Sequence, residues 1–333
     1  MADPPPGSSD GRDAGASDAR RHSLTRRVLP WVVTLGIFAL IFSSIDRDLF
    51  WANLLDADPV ALAAGLLMFF PIISGSVERW RWMLHDHADL PFRTGVKIFL
   101  AATSLNSVVP SKLGDLGKAV FLHNEGITDL ERASNSVLLE KILDLAGLCT
   151  VFLFGFMVAD VGDPVTRFVA AFSIAVLAGT GVYLTAHRPW NRLFPAAARM
   201  LGRWPTLRSI LEDSPRFTGD LAARPARLIA IVLASPLLWV LHMAQIYFFF
   251  RALNADVPFL LVFALTPVAI LVGLLPLSIG GMGTRDAALV ALFLPWVPPS
   301  TMVGVGLLIS TRYWIPSAFG VFLLPALLRS KAD

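Results

Sequence analysis

The sequence predicts an all-α, polytopic membrane protein with about six full spans and two re-entrant broken-helix hairpins. Apolar residues make up 55% of the 333-residue chain and charged residues only 16%, whereas soluble domains carry about 25% charged residues. Several apolar runs are also longer than the roughly 18 residues that a helix needs to cross the hydrocarbon core. Two short polar interruptions inside apolar sequence predict the hairpins.

A polar, basic tail precedes the first apolar run. Residues 1–27 are rich in Pro, Gly, Ser, Asp and Arg and contain little to bury, so we expect a disordered tail. Four arginines close the tail, which is the charge pattern of a cytoplasmic N-terminus. We therefore predict a first span over residues 28–45 and a transmembrane domain over residues 28–330.

The other full spans follow from apolar runs and from the charges of the loops between them. The loop 46–58 carries four acids against one base and is predicted to lie outside, whereas residues 187–227 carry eight arginines against three acids. We interpret 187–227 as an Arg-rich cytoplasmic connector, partly amphipathic. Together with the basic N-terminal tail, this charge pattern predicts a multi-pass cell (inner) membrane protein whose two termini are both cytoplasmic. The predicted spans are 59–77, 133–159, 164–186, 228–250 and 300–328.

Two tryptophans and two arginines alternate directly after the second span, as Arg79, Trp80, Arg81 and Trp82. Aromatic rings favour the headgroup level of a bilayer, and guanidinium groups favour lipid phosphates. We interpret these four residues as an interfacial anchor. Binding of a substrate headgroup is the alternative.

The two polar interruptions share a pattern in which a proline is followed four residues later by a glycine and then by a carboxylate. Proline lacks an amide donor and clashes with the preceding turn, while glycine adopts backbone conformations that other residues avoid. We therefore predict that each interruption breaks a helix. Within a bilayer, such backbone persists only where protein or a water-filled cavity covers it. The predicted hinge residues are Pro110, Gly114, Pro276, Gly280, Gly281 and Gly283.

Loop charges constrain the direction of both broken segments. They place residues 78–97 and 124–132 on the cytoplasmic side, so residues 98–123 enter and leave on one face as a re-entrant hairpin. By the same argument, residues 259–296 begin and end outside. Two similar hairpins of opposite direction predict an inverted-topology repeat. The two prolines are also as far apart as the two glycines that follow them.

At these residues the chain resembles the lysylphosphatidylglycerol synthase transmembrane, or flippase-like, family. Four motifs occur in the family's order across residues 28–330: ERWRW at 78–82, PSKLGD at 110–115 with Lys118, LEKILD at 139–144, and LPLSIGGMGTRD at 275–286. The resemblance implies translocation of a phospholipid or isoprenoid-linked lipid between leaflets, with membrane lipid as the partner. Some members join this module to an aminoacyl-transferase domain. None follows residue 333, so we expect no enzyme activity and no catalytic residue.

A flippase must carry a polar headgroup through an apolar layer and therefore needs a charged, hydrated cavity. Glu140 and Asp144 are one helical turn apart and share a face, whereas Lys141 is expected to point elsewhere. Arg312 lies in the middle of a span and needs a partner, for which Glu140, Asp144 or Asp286 would suffice. The candidate substrate-binding residues are Lys112, Asp115, Lys118, Glu140, Asp144, Ser278, Arg285, Asp286 and Arg312.

A structural ion-pair network that fixes the hairpins to the bundle is the alternative interpretation of these residues. Phosphate contact is favoured for Lys118 and for Arg285, which lies where the second break restarts as a helix, because the amides of a helix N-terminus favour anions. His242 and Gln245 are interpreted as interhelical hydrogen-bonding residues, with a role as substrate ligands as the alternative. Glu140 and Asp144 are the candidates for a proton site.

Three functional hypotheses follow from these residues. The leading one is a lipid flippase, and the alternative is a non-transporting scaffold or partner of an envelope-lipid or glycan-synthesising enzyme. A membrane-embedded transferase ranks last, because the sequence has no nucleotide-binding loop and no metal-ligand cluster. We expect no cofactor, no metal and no nucleic-acid partner.

Overall fold

The computed structural model describes residues 45–106, 114–159, 162–185, 205–275, 277–278 and 281–329, together with scattered positions between 32 and 43. Several predictions lie outside these residues. They are the N-terminal tail, most of the first span, part of the Arg-rich connector, and the roles of Pro110, Lys112, Pro276 and Gly280.

All regular secondary structure in the described part of the chain is helical. The helices are α1 (Arg47–Leu55), α2 (Pro59–Leu67), α3 (Phe69–Leu84), α4 (Phe92–Asn106), α5 (Gly117–Asn124), α6 (Leu130–Val158), α7 (Pro164–Thr185), α8 (Pro205–Ala222), α9 (Pro225–Ala252), α10 (Phe259–Gly273), α11 (Thr284–Phe293), α12 (Pro299–Gly320) and α13 (Leu324–Leu327).

Four helical segments are long and apolar enough to cross a membrane. They are Pro59–Leu84, which comprises α2 and α3, and the single helices α6, α7 and α9. The protein is an all-α polytopic membrane protein, as the composition predicted. The number of six full spans stays a prediction.

The acidic segment 46–58, predicted to lie outside, contains a helix, α1. Its side of the membrane stays a prediction. The carboxylate of Asp46 accepts a hydrogen bond from the amide of Leu49 at 3.0 Å, which is the geometry of an N-cap. One side of α1 then packs on α12, where Phe50 is buried and Asn53 donates to Thr301 Oγ1 at 2.8 Å.

Helix α6 is the central element and contacts α3, α5, α7, α8, α9 and α10. One apolar core is built from residues of α6, α9, α10, α11 and α12, and a second includes residues of α3, α4, α5, α6 and α8. Because α6 carries LEKILD in its first half, this packing places three charged residues of that motif inside the bundle.

On either side of each predicted break, the described residues belong to separate helices. Helix α4 ends at Asn106 and α5 begins at Gly117, and α10 ends at Gly273 and α11 begins at Thr284. In the second break, Gly281 and Gly283 have φ angles of 76° and 94°, which residues with a Cβ rarely adopt. Helices α10 and α11 pack against each other as a hairpin. Its direction relative to the bilayer stays a prediction.

The last predicted span, 300–328, is divided in two. Helix α12 ends at Gly320, and the short α13 begins at Leu324. Pro325 explains the division, because proline lacks an amide hydrogen and its ring clashes with the carbonyl four residues earlier, here that of Val321.

Candidate functional site

A polar cavity of about 150 Å³ lies between α3, α4, α5, α6, α9 and α12. Apolar side chains such as Phe69, Ile72 and Phe99 form part of its wall. The charged side chains that line it are Arg79, Asp115, Lys118, Glu140, Lys141, Asp144 and Arg312. Charged residues are rare within membrane spans and usually face the interior of the bundle.

The deepest ion pair joins α5 to α6. Lys118 Nζ lies 2.8 Å from Glu140 Oε1 and 3.0 Å from Oε2, and the two residues are 2% and 3% exposed. Arg79 Nη2 lies 4.0 Å from the same carboxylate and 2.5 Å from Asp144 Oδ1. The two α6 carboxylates that share a face by sequence therefore bind basic residues from two different helices.

Asp115 and Lys141 form a second bridge across the cavity wall. Lys141 Nζ contacts Asp115 Oδ2 directly and lies 3.6 Å from Asp144 Oδ2. Asn106 fixes Asp115 by donating from Nδ2 to Oδ1 at 2.7 Å and accepting from the Asp115 amide at 3.1 Å. The expectation that Lys141 points away from the site was wrong, because its long side chain reaches the turn that precedes α5.

The side chains of Asn106 and Asp115 thus join the two ends of the first break. Gly114 lies directly against the backbone of Leu105 and Asn106, where an added Cβ would collide. These contacts hold Asn106 and Asp115 against each other and place the Asp115 carboxylate at the cavity.

Arg79 is a site residue that the sequence argument missed, and the interpretation of residues 79–82 as one anchor was wrong. Arg79 and Trp80 are buried, and their donors bind Ser235 Oγ at 2.9 Å and Ser136 Oγ at 3.1 Å, respectively. Arg81 and Trp82 remain on the outer face of α3. Helical spacing could have placed Arg79 at the site, because Arg79 lies one turn from Ser76 on the side of α3 that faces the cavity.

Arg312 has a different partner from the one expected. Its Nη2 lies 2.7 Å from His242 Nδ1, and no carboxylate of the described residues lies within 4.0 Å of its guanidinium. The three carboxylates proposed as its partners bind Lys118, Arg79 and Arg285 instead. His242 and Gln245 do bond between helices, because Gln245 Nε2 donates to the carbonyl of Gly65 at 2.9 Å.

Residues of the second break form a separate cluster. Arg285 binds Asp286 Oδ1 through Nε at 2.9 Å and Nη2 at 2.6 Å, and it also donates to Ser310 Oγ on α12 at 2.8 Å. Ser278 is buried and bonds Thr284 at 2.8 Å. None of these residues lines the polar cavity. The candidate residues that do line it are Asp115, Lys118, Glu140, Asp144 and Arg312.

An apolar cavity of about 320 Å³ adjoins the polar one. Its apolar wall comes from the turn before α5, from α6 and from α10, and includes Leu145, Leu148 and Ile270. Four residues line both cavities: Asp115, Lys141, Asp144 and Trp239. The arrangement suits an amphipathic ligand, with a charged group on one side of this shared wall and a hydrocarbon group on the other.

The lysylphosphatidylglycerol synthase TM region family matches residues 27–320 of the sequence. The chain belongs to this family. The assignment made from the four motifs is therefore confirmed, and every described residue of the polar cavity lies inside the matched region.

Two relatives from Methanothermobacter thermautotrophicus (strain Delta H), each named UPF0104 membrane protein, resemble this family member along most of their length. One is 23% identical over 298 residues, covering 81% of this chain and 86% of the relative. The other is 24% identical over 283 residues, covering 79% of this chain and 82% of the relative. The similarity thus covers about four fifths of this chain in both comparisons.

Proposed function

We propose that the protein moves a phospholipid or an isoprenoid-linked lipid between the leaflets of the cell membrane, with both of its termini cytoplasmic. The observation that carries the proposal is the polar cavity, where seven charged side chains meet between helices, three of which (α3, α6 and α9) belong to segments apolar enough to span a bilayer. Such charges are costly in hydrocarbon and mark pathways for polar groups. Family membership supports the same conclusion.

The two adjoining cavities suggest how a lipid would be held. The headgroup occupies the polar cavity, where it exchanges hydration for contacts with charged side chains, and the hydrocarbon chain stays in the apolar cavity or in the bilayer. The shared wall contains the Lys141–Asp115 pair. Opening this pair would connect the two compartments, so we assign it the role of a barrier between them.

A reconstitution experiment tests the proposal. The full chain is placed in phosphatidylcholine vesicles that contain fluorescent phosphatidylglycerol, and dithionite then quenches the fluorophore in the outer leaflet only. We expect the quenchable fraction to rise from about half towards completion, as inner-leaflet lipid exchanges outwards. Asp144→Asn should slow this phase at least about tenfold, since it leaves Arg79 and Lys141 short of one counter-charge.

A matched carboxylate provides the control. Asp256 pairs with Arg251 at 3.1 Å but is 96% exposed, so Asp256→Asn should leave the rate unchanged. A wild-type rate no faster than that of empty vesicles would refute transport and favour the alternative, a scaffold for an envelope-lipid or glycan-synthesising enzyme. A wild-type rate in a folded Asp144→Asn protein would show that the cavity is not the route.

A further inference from the structure

Among the described residues that line the polar cavity, there is one more cation than there are carboxylates. Each carboxylate has a basic partner: Asp115 with Lys141, Glu140 with Lys118, and Asp144 with Arg79. Arg312 is the fourth cation, and among the described residues its guanidinium has no carboxylate within 4.0 Å. The described lining thus carries an excess positive charge, and the cation without a carboxylate partner is Arg312.

The contact between Arg312 and His242 does not neutralise that charge. A guanidinium has only donors and keeps its proton at every accessible pH, so Nδ1 of His242 accepts the hydrogen bond at 2.7 Å. An imidazole that accepts at Nδ1 in this way is neutral. It orients the guanidinium, whose charge is then compensated only when an anion enters the cavity.

We propose that Arg312 and His242 form the subsite for a phosphate ester group, and that His242 takes up one proton when this group binds. The proposal rests on the proposed function and adds to it the group recognised and a coupled proton. The planar guanidinium matches two phosphate oxygens, and the bound negative charge offsets that of Arg312. The imidazole then binds a proton and donates to a phosphate oxygen instead of accepting from Arg312.

The surroundings of His242 support its role in proton uptake. Its ring lies against that of Trp239 on the same helix, tilted by 53°, with ring centroids 5.1 Å apart. The charged and titratable groups that face the same cavity are Arg79 on α3, Asp115 and Lys118 at α5, Glu140, Lys141 and Asp144 on α6, and Arg312 and Tyr313 on α12. The carboxylates all have basic partners, whereas an imidazole ordinarily changes charge near neutral pH. His242 therefore replaces Glu140 and Asp144 as the candidate proton site.

Calorimetric titration of the purified full chain with glycerophosphoglycerol tests this subsite. This soluble phosphodiester keeps one negative charge between about pH 8 and about pH 5.5, so only the protein's groups titrate. We expect the affinity to rise on acidification, by up to about tenfold per pH unit, because the bound state holds one additional proton. Titrations in two buffers of different ionisation heat should report uptake of up to one proton.

Four variants separate the parts of the proposal. His242→Gln keeps an acceptor for Arg312 but cannot bind a proton, so its affinity should not vary with pH. His87→Gln changes a histidine in the loop after α3 and should leave the pH dependence intact. Arg312→Gln should weaken binding at least about tenfold at every pH, and Arg312→Lys should restore part of it, since lysine keeps the charge but lacks the fork.

Several outcomes would overturn the subsite. The first is a wild-type affinity that does not change with pH, and this test does not depend on any variant being folded. The second is a folded Arg312→Gln protein that binds the headgroup as tightly as the wild type. Short-chain phosphatidylglycerol should bind at least as tightly as the soluble headgroup. If inorganic sulfate binds and this lipid does not, the subsite takes a free anion and the assignment of a phosphate ester is wrong.

The same measurements distinguish this inference from the proposed function. If the headgroup binds with the expected pH dependence but proteoliposomes move no lipid, the subsite stands and transport is refuted. If lipid moves while Arg312→Gln leaves headgroup binding unchanged, transport stands and the subsite is refuted.

Discussion

Removal of one partner of the buried Lys118–Glu140 pair should destabilise the protein, and the two single substitutions should not cost the same. In Glu140→Gln, the Lys118 ammonium stays 2% exposed and keeps a neutral amide oxygen and the ring faces of Trp80 and Phe99, at 5.4 Å and 4.8 Å. Its nearest carboxylate has gone. Breaking a buried pair in this way costs about 3–5 kcal/mol, because the remaining charge is uncompensated.

The reverse substitution leaves a partner in place. In Lys118→Met, the Glu140 carboxylate still has Arg79 Nη2 at 4.0 Å, so we expect a smaller loss of about 1–3 kcal/mol. The double variant removes both charges together and should be more stable than Glu140→Gln alone. The non-additivity should amount to about 1–3 kcal/mol, as expected for residues in direct contact.

Thermal unfolding in one detergent, followed by intrinsic fluorescence, ranks the stabilities of the wild type, the two single variants and the double variant. Glu212→Gln is the matched control, because Glu212 pairs with Arg208 at 2.8 Å but both side chains are more than 40% exposed. That substitution should change stability by about 0.5 kcal/mol or less. Additive losses, or a Glu140→Gln protein as stable as the wild type, would refute the assignment of a buried, mutually dependent pair.

Two further predictions concern the second break and the loop after α3. Gly283→Ala should cost about 1–3 kcal/mol because an L residue is strained at a φ of 94°, whereas Gly179→Ala, where an added Cβ meets no atom within 4 Å, should be neutral or stabilising in the same unfolding assay. Partial burial raises the pKa of Asp86, but the hydrogen bond from Arg227 and the charges of Arg227 and Arg224 outweigh it and hold that pKa below its ordinary value. The ionised Asp86 carboxylate therefore stabilises the folded protein above about pH 4, and this stabilisation is lost as the pH falls below that value. The unfolding temperatures of wild type and Asp86→Asn should then converge on acidification. A difference between them that is constant with pH would contradict this assignment.

Much of the fold could be predicted from local sequence. The spans that became α6, α7 and α9 were visible as apolar runs, and the two breaks were visible as proline and glycine within such runs. The i, i+4 spacing of Glu140 and Asp144 correctly placed both carboxylates on one side of α6. These inferences need only the periodicity of a helix and the chemistry of a single residue.

Partner choice could not be predicted in the same way. Lys141 was expected to point away because helical spacing ignores the length of its side chain, which reaches Asp115 on the preceding break. Arg79 looked like a headgroup anchor because it follows an apolar run and precedes Trp80, yet packing against α6 buries both. The similarity of the two breaks also did not reveal that Arg285, in the second break, would pair with its own neighbour Asp286.

The sequence by itself determined that the chain enters the bilayer, where its helices break, and which family it belongs to, because transfer free energy and backbone preference are properties of each short segment. Only the tertiary structure decided which charges neutralise each other. Arg79 and Asp144 are 65 residues apart in the chain and His242 and Arg312 are 70 apart, yet each pair is in hydrogen-bond contact. Electrostatic interaction in a region of low dielectric depends steeply on such distances, which helix packing sets and local sequence does not.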